Sequence, residues 1–106
     1  MEESGYNDEA DILGKKAFAE LCTALSRSDD PDLIGEFLEC LLTPTELREV
    51  STRWALVREI EDGTTQREIA RKMGLSLCKI TRGSRELKKE NSPFKRMIAL
   101  ISKAGD

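Results

Sequence analysis

The chain contains no histidine, and its three cysteines, Cys22, Cys40 and Cys78, are widely spaced with no C-x-x-C pair among them. Those two absences remove the usual zinc ligand sets and leave reduced thiols in a cytoplasmic protein as the plain reading. Without histidine, a glycine-rich phosphate loop or a metal-ligand cluster, no base poised near neutral pH is evident, and the sequence is not that of an enzyme. No apolar run reaches the roughly 18 residues of a membrane span, and no secretory signal opens the chain. Aromatic residues are scarce as well, with one Trp, one Tyr and three Phe in 106 residues. A chain of this length should bury about 60 to 70% of its unfolded surface, enough for one domain with a thin core. Helical chains with so little apolar mass often complete their core by dimerising.

What is abundant is charge, and it is unevenly placed. Residues 1–40 carry three basic and eleven acidic side chains, a net of -8; residues 41–63 carry three and five, a net of -2; residues 64–106 carry eleven and four, a net of +7. The overall -3 therefore hides a basic C-terminal part. Acidity overall argues against a non-specific coat for nucleic acid, whereas a basic segment coinciding with a groove-reading motif argues for a specific contact.

Such a motif spans Thr65 to Leu87. Thr65 with Glu68 forms a capping box that opens a helix. Ala70 is small where a second helix must approach, Gly74 suits a left-handed turn, Ser76 caps the next helix, and Ile80 falls on the face that folds back toward Ala70. Gln66, Ala70, Gly74 and Ile80 thus make the mask of a helix-turn-helix at about residues 65–87.

Around it the pattern is helical throughout, and the expected fold class is all-α, six helices, with no strand, repeat or low-complexity tract. Residues 1–8 read as a disordered N-terminal arm and 9–106 as a single helical domain. Leu13, Ala17, Phe18, Leu21 and Leu25 mark a first amphipathic helix over about Glu9 to Ser26. Pro31 fits the first turn of a second, whose stripe is Ile34, Phe37, Leu38, Leu41 and Leu42. Thr43, Pro44 and Glu46 start a third with N-cap, N1 proline and capping-box acid; it runs through Leu47, Val50, Trp54, Val57 and Ile60 to Gly63. Asn91 interrupts after the motif, and Ser92 with Pro93 starts a last helix whose buried face is expected to be Phe94, Met97, Ile98 and Ile101.

Leu42, Thr43 and Pro44, Thr52 and Arg53, Gln66, Arg67 and Glu68, and above all the run Ile80, Thr81, Arg82, Gly83, Ser84 resemble the Trp repressor family, the ligand-gated bacterial repressors of tryptophan operons. The resemblance covers about half the chain at motif level. It implies an intertwined homodimer in which tryptophan, the corepressor, wedges between a shared core and the helix-turn-helix. Two recognition helices about 34 Å apart would then enter successive major grooves of operator DNA; the family is among the systems on which that geometry rests.

Carried over by position, the resemblance places Arg53 and Arg82 on either side of the indole, and Thr43 with Arg82 at the carboxylate. An arginine can both stack on a ring and fork onto a carboxylate. Backbone carbonyls of Leu38 and Cys40 from the other subunit would accept from the ammonium, and Gly83 would leave room for the ring. Glu86 departs from the family, which often has serine there, and the loop after Gly63 is one residue short. On the DNA side the implied residues are Gln66, Arg67, Leu77, Cys78, Lys79 and Thr81, with Arg71, Lys72, Arg85 and Lys88 toward phosphates. A lysine at a base edge favours guanine.

Plainer roles compete at several positions. Arg53 can bridge to Glu49 one turn earlier, Arg82 can pair with a carboxylate or a phosphate, Leu77 can pack inside the motif, and Trp54 reads as core or interface. Two other functions stand beside a tryptophan-gated repressor: a DNA-binding regulator of the same fold with no gate, supported by Glu86 and the short loop, and a helical protein-interaction module.

Overall fold

A computed structural model of the chain describes residues 8–105, all but the ends of the sequence. The arm expected at residues 1–8 lies outside the described residues except for Asp8, which begins the first helix. Six helices and no strand occur among the described residues: α1 (Asp8–Arg27), α2 (Pro31–Leu41), α3 (Pro44–Glu61), α4 (Gln66–Met73), α5 (Leu77–Lys88) and α6 (Pro93–Gly105). The chain falls into two compact units, Met1–Thr43 and Pro44–Asp106.

In the first unit, α1 and α2 bury no residue. Asp30 caps α2, its carboxylate accepting from the backbone N–H of Asp32 at 3.0 Å and of Leu33 at 3.4 Å, with Pro31 in the first turn as expected. The apolar stripes are present but uncovered: Leu13 and Phe18 on α1, and Leu33, Phe37 and Leu41 on α2, are all exposed. Helix formation here follows local pattern and capping, and burial adds little.

The second unit carries the core, and α3 is its spine. One side of α3 supplies Leu56 to a cluster with Ile69 of α4 and Ile80 of α5, against which Ile60, Ala70, Met73 and Leu75 pack. Another side supplies Val57 to a cluster with Leu87 of α5 and Ile98 of α6, flanked by Trp54, Ile60 and Phe94. Ile69 and Ile80 retain no exposed surface. The stripe anticipated on α3 includes Val57 but not Leu56, because a helix that serves two partners needs a wider apolar face than a single i, i+3, i+4 row. On α6 only part of the expected face is covered. Ile98 is buried and Phe94 half-buried, whereas Met97 and Ile101 stay exposed, since α3 and α5 meet α6 along one side alone.

The turns between these helices are built by local chemistry. After α3, Gly63 adopts φ +90°; its N–H donates to the Ile60 carbonyl and that of Thr64 to the Glu59 carbonyl, both at 3.0 Å. This pair of bonds is the Schellman arrangement that satisfies carbonyls at a helix end. Gly74 adopts φ +66° between α4 and α5, with its N–H on the Ala70 carbonyl. Asn91, at φ +55°, turns the chain into α6, where the hydroxyl of the buried Ser92 accepts from the Lys95 N–H.

Two substitutions separate turn from core. Gly74→Ala, forced into a left-handed backbone, is expected to lower stability by about 1 to 2 kcal/mol. Ile80→Ala, which opens a cavity between three helices, should cost about 2 to 5 kcal/mol. Urea unfolding monitored by helical circular dichroism measures both, and a smaller loss for Ile80→Ala than for Gly74→Ala would contradict this account of the core.

Candidate nucleic-acid interface and ligand site

The α4–α5 pair takes its shape from two caps and one packing contact. Thr65 caps α4, its hydroxyl accepting from the Glu68 N–H at 3.2 Å, and Ser76 caps α5, accepting from the Lys79 N–H at 3.3 Å. The reciprocal half of the capping box anticipated at Thr65 does not form. The Glu68 carboxylate turns instead to Arg71, receiving Nε at 3.0 Å and a second guanidinium N–H, because a charge-assisted fork outcompetes a single neutral donor. Ile69 and Ile80 then lock the two helices against Leu56, with Ala70 packed beside them.

Helical geometry divides the surface of α5 into three faces. Ile80, Gly83 and Leu87 are buried. A side chain at Gly83 would sit 3.3 Å from both Ile60 Cδ1 and Leu56 Cδ2, so glycine marks where α5 runs closest to α3. On one flank Thr81, Ser84, Arg85 and Lys88 line a shallow polar cleft of about 280 Å³ together with Gln66 from the start of α4. On the other flank stand Arg82 and Glu86, one turn apart; Glu86 Oε2 accepts from Lys89 Nζ at 3.0 Å.

The residues expected at DNA are all exposed on α4 and α5: Gln66 and Arg67 in the first turn of α4, Leu77, Cys78 and Lys79 in the first turn of α5, and Thr81. Leu77 keeps 61% of its surface free, so it does not pack inside the helix pair. Ser84 joins Gln66 in the cleft, a neighbour the sequence run did not single out. Two of the expected phosphate cations are already engaged within the chain: Arg71 with Glu68, and Lys72 with Glu59 at 3.0 Å. The Lys72 pairing joins residues 13 apart in sequence and has no local signature.

The residues expected at a ligand are divided between the two units. Arg53 on α3 is exposed, as is Arg82; Gly83 is buried and Glu86 half-buried, all in the second unit. Leu38, Cys40 and Thr43 belong to the first. The Leu38 carbonyl accepts from the Leu42 N–H at 2.9 Å and retains a second lone pair. Four residues after Cys40 comes Pro44, which has no N–H with which to continue the α-helical bond to the Cys40 carbonyl.

Comparison with known proteins bears on what this arrangement serves. A protein-family model described as Trp repressor protein matches residues 16–101. A protein named Trp operon repressor homolog from Xylella fastidiosa strain M23 is 36% identical over 78 residues, covering 73% of this chain and 85% of its own. Chlamydia trachomatis serovar L2 has a protein of the same name, 34% identical over 86 residues, covering 80% and 88%. A third, from Chlamydia caviae, is 34% identical over 87 residues, covering 81% and 83%. No solved structure matches the chain.

Two carboxylates in this region titrate below their ordinary value near 4.5: Glu59, through hydrogen bonds from Thr64 and Lys72, and Glu68, through its bond from Arg71. A carboxyl whose folded pKa is depressed stabilises the fold above its unfolded pKa, and that contribution is lost as pH falls through the folded one. The urea midpoint of the chain should therefore fall below about pH 4.5, and a Glu59→Gln, Glu68→Gln double variant should show a flatter decline. Equal pH profiles for the two proteins would remove these bonds from the stability of the second unit.

Proposed function

The chain belongs to the Trp repressor family, and from that premise we propose that it is a sequence-specific, DNA-binding transcriptional repressor gated by L-tryptophan. The family regulates transcription and is not a family of enzymes. The observation that carries the reading is the α4–α5 pair: two short helices joined at Gly74 and packed through Ile69 and Ile80, with Gln66, Arg67, Leu77, Cys78, Lys79 and Thr81 exposed, which supports a helix-turn-helix. Its first helix would cross the phosphate backbone and its second would enter the major groove. The polar cleft beside Gln66 supplies neutral and cationic donors suited to phosphate oxygens.

A single recognition helix is too small an anchor for an operator, and the reading includes a homodimer. Its support is the uncovered apolar surface on α1, α2 and α6, where Phe18, Leu41, Met97, Leu100 and Ile101 lie exposed in the isolated chain. The corepressor would be bound by Arg53 and Arg82 stacking on the indole, Thr43 and Arg82 at the carboxylate, the backbone carbonyls of Leu38 and Cys40 from the other subunit at the ammonium, Gly83 beside the ring and Glu86 at the pocket edge. A ligand that binds the correctly spaced dimer better than the others shifts the population toward it, by no more than its differential affinity. The regulated genes on this reading are those of tryptophan biosynthesis or uptake.

One observation favours a second reading, in which the same fold binds DNA without a gate. Glu86 stands where a ligand's ammonium would approach, and its carboxylate is already engaged by Lys89. The two readings separate on selection of duplexes from a random pool with and without tryptophan. A gated repressor gives tighter binding by roughly 5- to 150-fold with tryptophan, the usual span of a coupling free energy, and Arg82→Ala abolishes that response while the helical content stays intact. Equal duplex affinity with and without tryptophan sinks the gate; no selected duplex at low salt sinks both.

A further inference from the structure

Three attachments converge on Glu59, in the last turn of α3. Its carbonyl accepts from the Thr64 N–H at 3.0 Å, and its carboxylate oxygen Oε1 accepts from the Thr64 hydroxyl at 2.8 Å and from Lys72 Nζ at 3.0 Å. Thr64 lies in the linker between α3 and α4, and Lys72 lies in the last turn of α4. One residue therefore holds both the linker and the far end of the helix that follows it.

The rest of the α3–α4 contact is apolar. Ile69 meets Leu56 at the middle of α4, and hydrophobic contact is non-directional, so it holds that part of the helix more closely than it orients the helix ends. Ile69 is three residues from Gln66 and three from Lys72, the middle of a short lever. Fixing Lys72 to Glu59 fixes where Gln66 and Arg67 point at the opposite end. The Glu59 side chain keeps 27% of its surface free and that of Lys72 41%, so the pair is partly shielded from solvent. Glu68, the other carboxylate nearby, hydrogen-bonds Arg71 and reaches Lys72 through charge alone.

We propose that Glu59 is a positioning residue for DNA binding, clasping Thr64 and Lys72 so that α4 presents Gln66 and Arg67 at a fixed angle, and that Lys72 acts through this clasp rather than on a phosphate. The proposal rests on the reading of α4–α5 as a DNA-binding head. It inverts the role a surface lysine on a basic helix would ordinarily be given.

The test is a set of full-length variants, Glu59→Gln, Lys72→Gln and the charge swap E59K/K72E, measured against the tightest duplex recovered by random selection, over a series of salt concentrations. Each single variant should weaken binding by roughly 2- to 10-fold, the range open to a partly exposed pair with one added hydrogen bond. The slope of affinity against salt should stay that of the unaltered protein, and the swap should recover most of the loss. A phosphate contact gives the opposite pattern. Lys72→Gln then flattens the slope by about 0.9, Glu59→Gln binds as well as or better than the original, and the swap is the weakest of all; that result overturns the clasp and leaves the DNA reading standing. If the unaltered protein binds no duplex, the reading of the helix pair fails and the proposal falls with it. The swap keeps the helical spectrum as its control, so a single variant that unfolds does not decide the matter.

Discussion

Leu56, Ile69 and Ile80 come from three different helices and meet with almost no surface left to solvent. The contact is small, but the geometry of the second unit depends on it. It sets the angle between α4 and α5, and it brings α5 close enough to α3 that only glycine fits at position 83 without displacing Leu56 and Ile60. A close-packed point of this kind has few alternative arrangements. The two helices that carry the candidate DNA surface are thereby held by side chains that take no part in it.

The price of so small a contact is that most of the apolar surface of the chain is not used by it. Among the described residues only six apolar side chains are buried, all of them from α3 onward, while eleven large ones are exposed along α1, α2, α3, α5 and α6. Scattered exposed leucines are ordinary, but long amphipathic helices that bury nothing are not stable through propensity alone. The physical demand is for a covering surface of similar character, and a second copy of the chain offers one in kind. The proposed homodimer answers that demand and the two-fold geometry of an operator at once.

Helix existence and helix ends were legible in the sequence because they are decided within four or five residues. Pro31, Pro44, Gly63, Gly74, Ser76 and Ser92 each act on a backbone position near their own, and each stands where the helices begin or end. What depends on neighbours distant in sequence was less visible. Leu56 sits off the stripe that Val57 and Trp54 suggest, and nothing near Glu59 announces Lys72. The capping acid at Glu68 misled in a different way: its spacing suits a box with Thr65 and equally an i, i+3 fork with Arg71, and the charged partner wins. For the candidate site, the exposure of Gln66, Arg67, Leu77, Cys78, Lys79 and Thr81 followed from the helical period, whereas the residues proposed for a ligand share no period that would reveal them.

The division of labour on α5 has a mechanical consequence for gating. The flank bearing Thr81, Ser84, Arg85 and Lys88 and the flank bearing Arg82 and Glu86 lie on opposite sides of a buried row, Ile80, Gly83 and Leu87. A ligand seated against Arg82 would lie one turn from Cys78 and Lys79 and would bear on the same helix. It would therefore act on where α5 lies as well as on its nearest side chains. A helix pinned closely to α3 at Gly83 transmits such a bias with little loss, since a rigid body has no slack to absorb it. In the proposed homodimer, the freedom left to be ordered would lie in how the two α4–α5 pairs are placed. Strain or looseness introduced at Gly83 would accordingly free α5 from α3 while leaving the two flanks of the helix joined to each other.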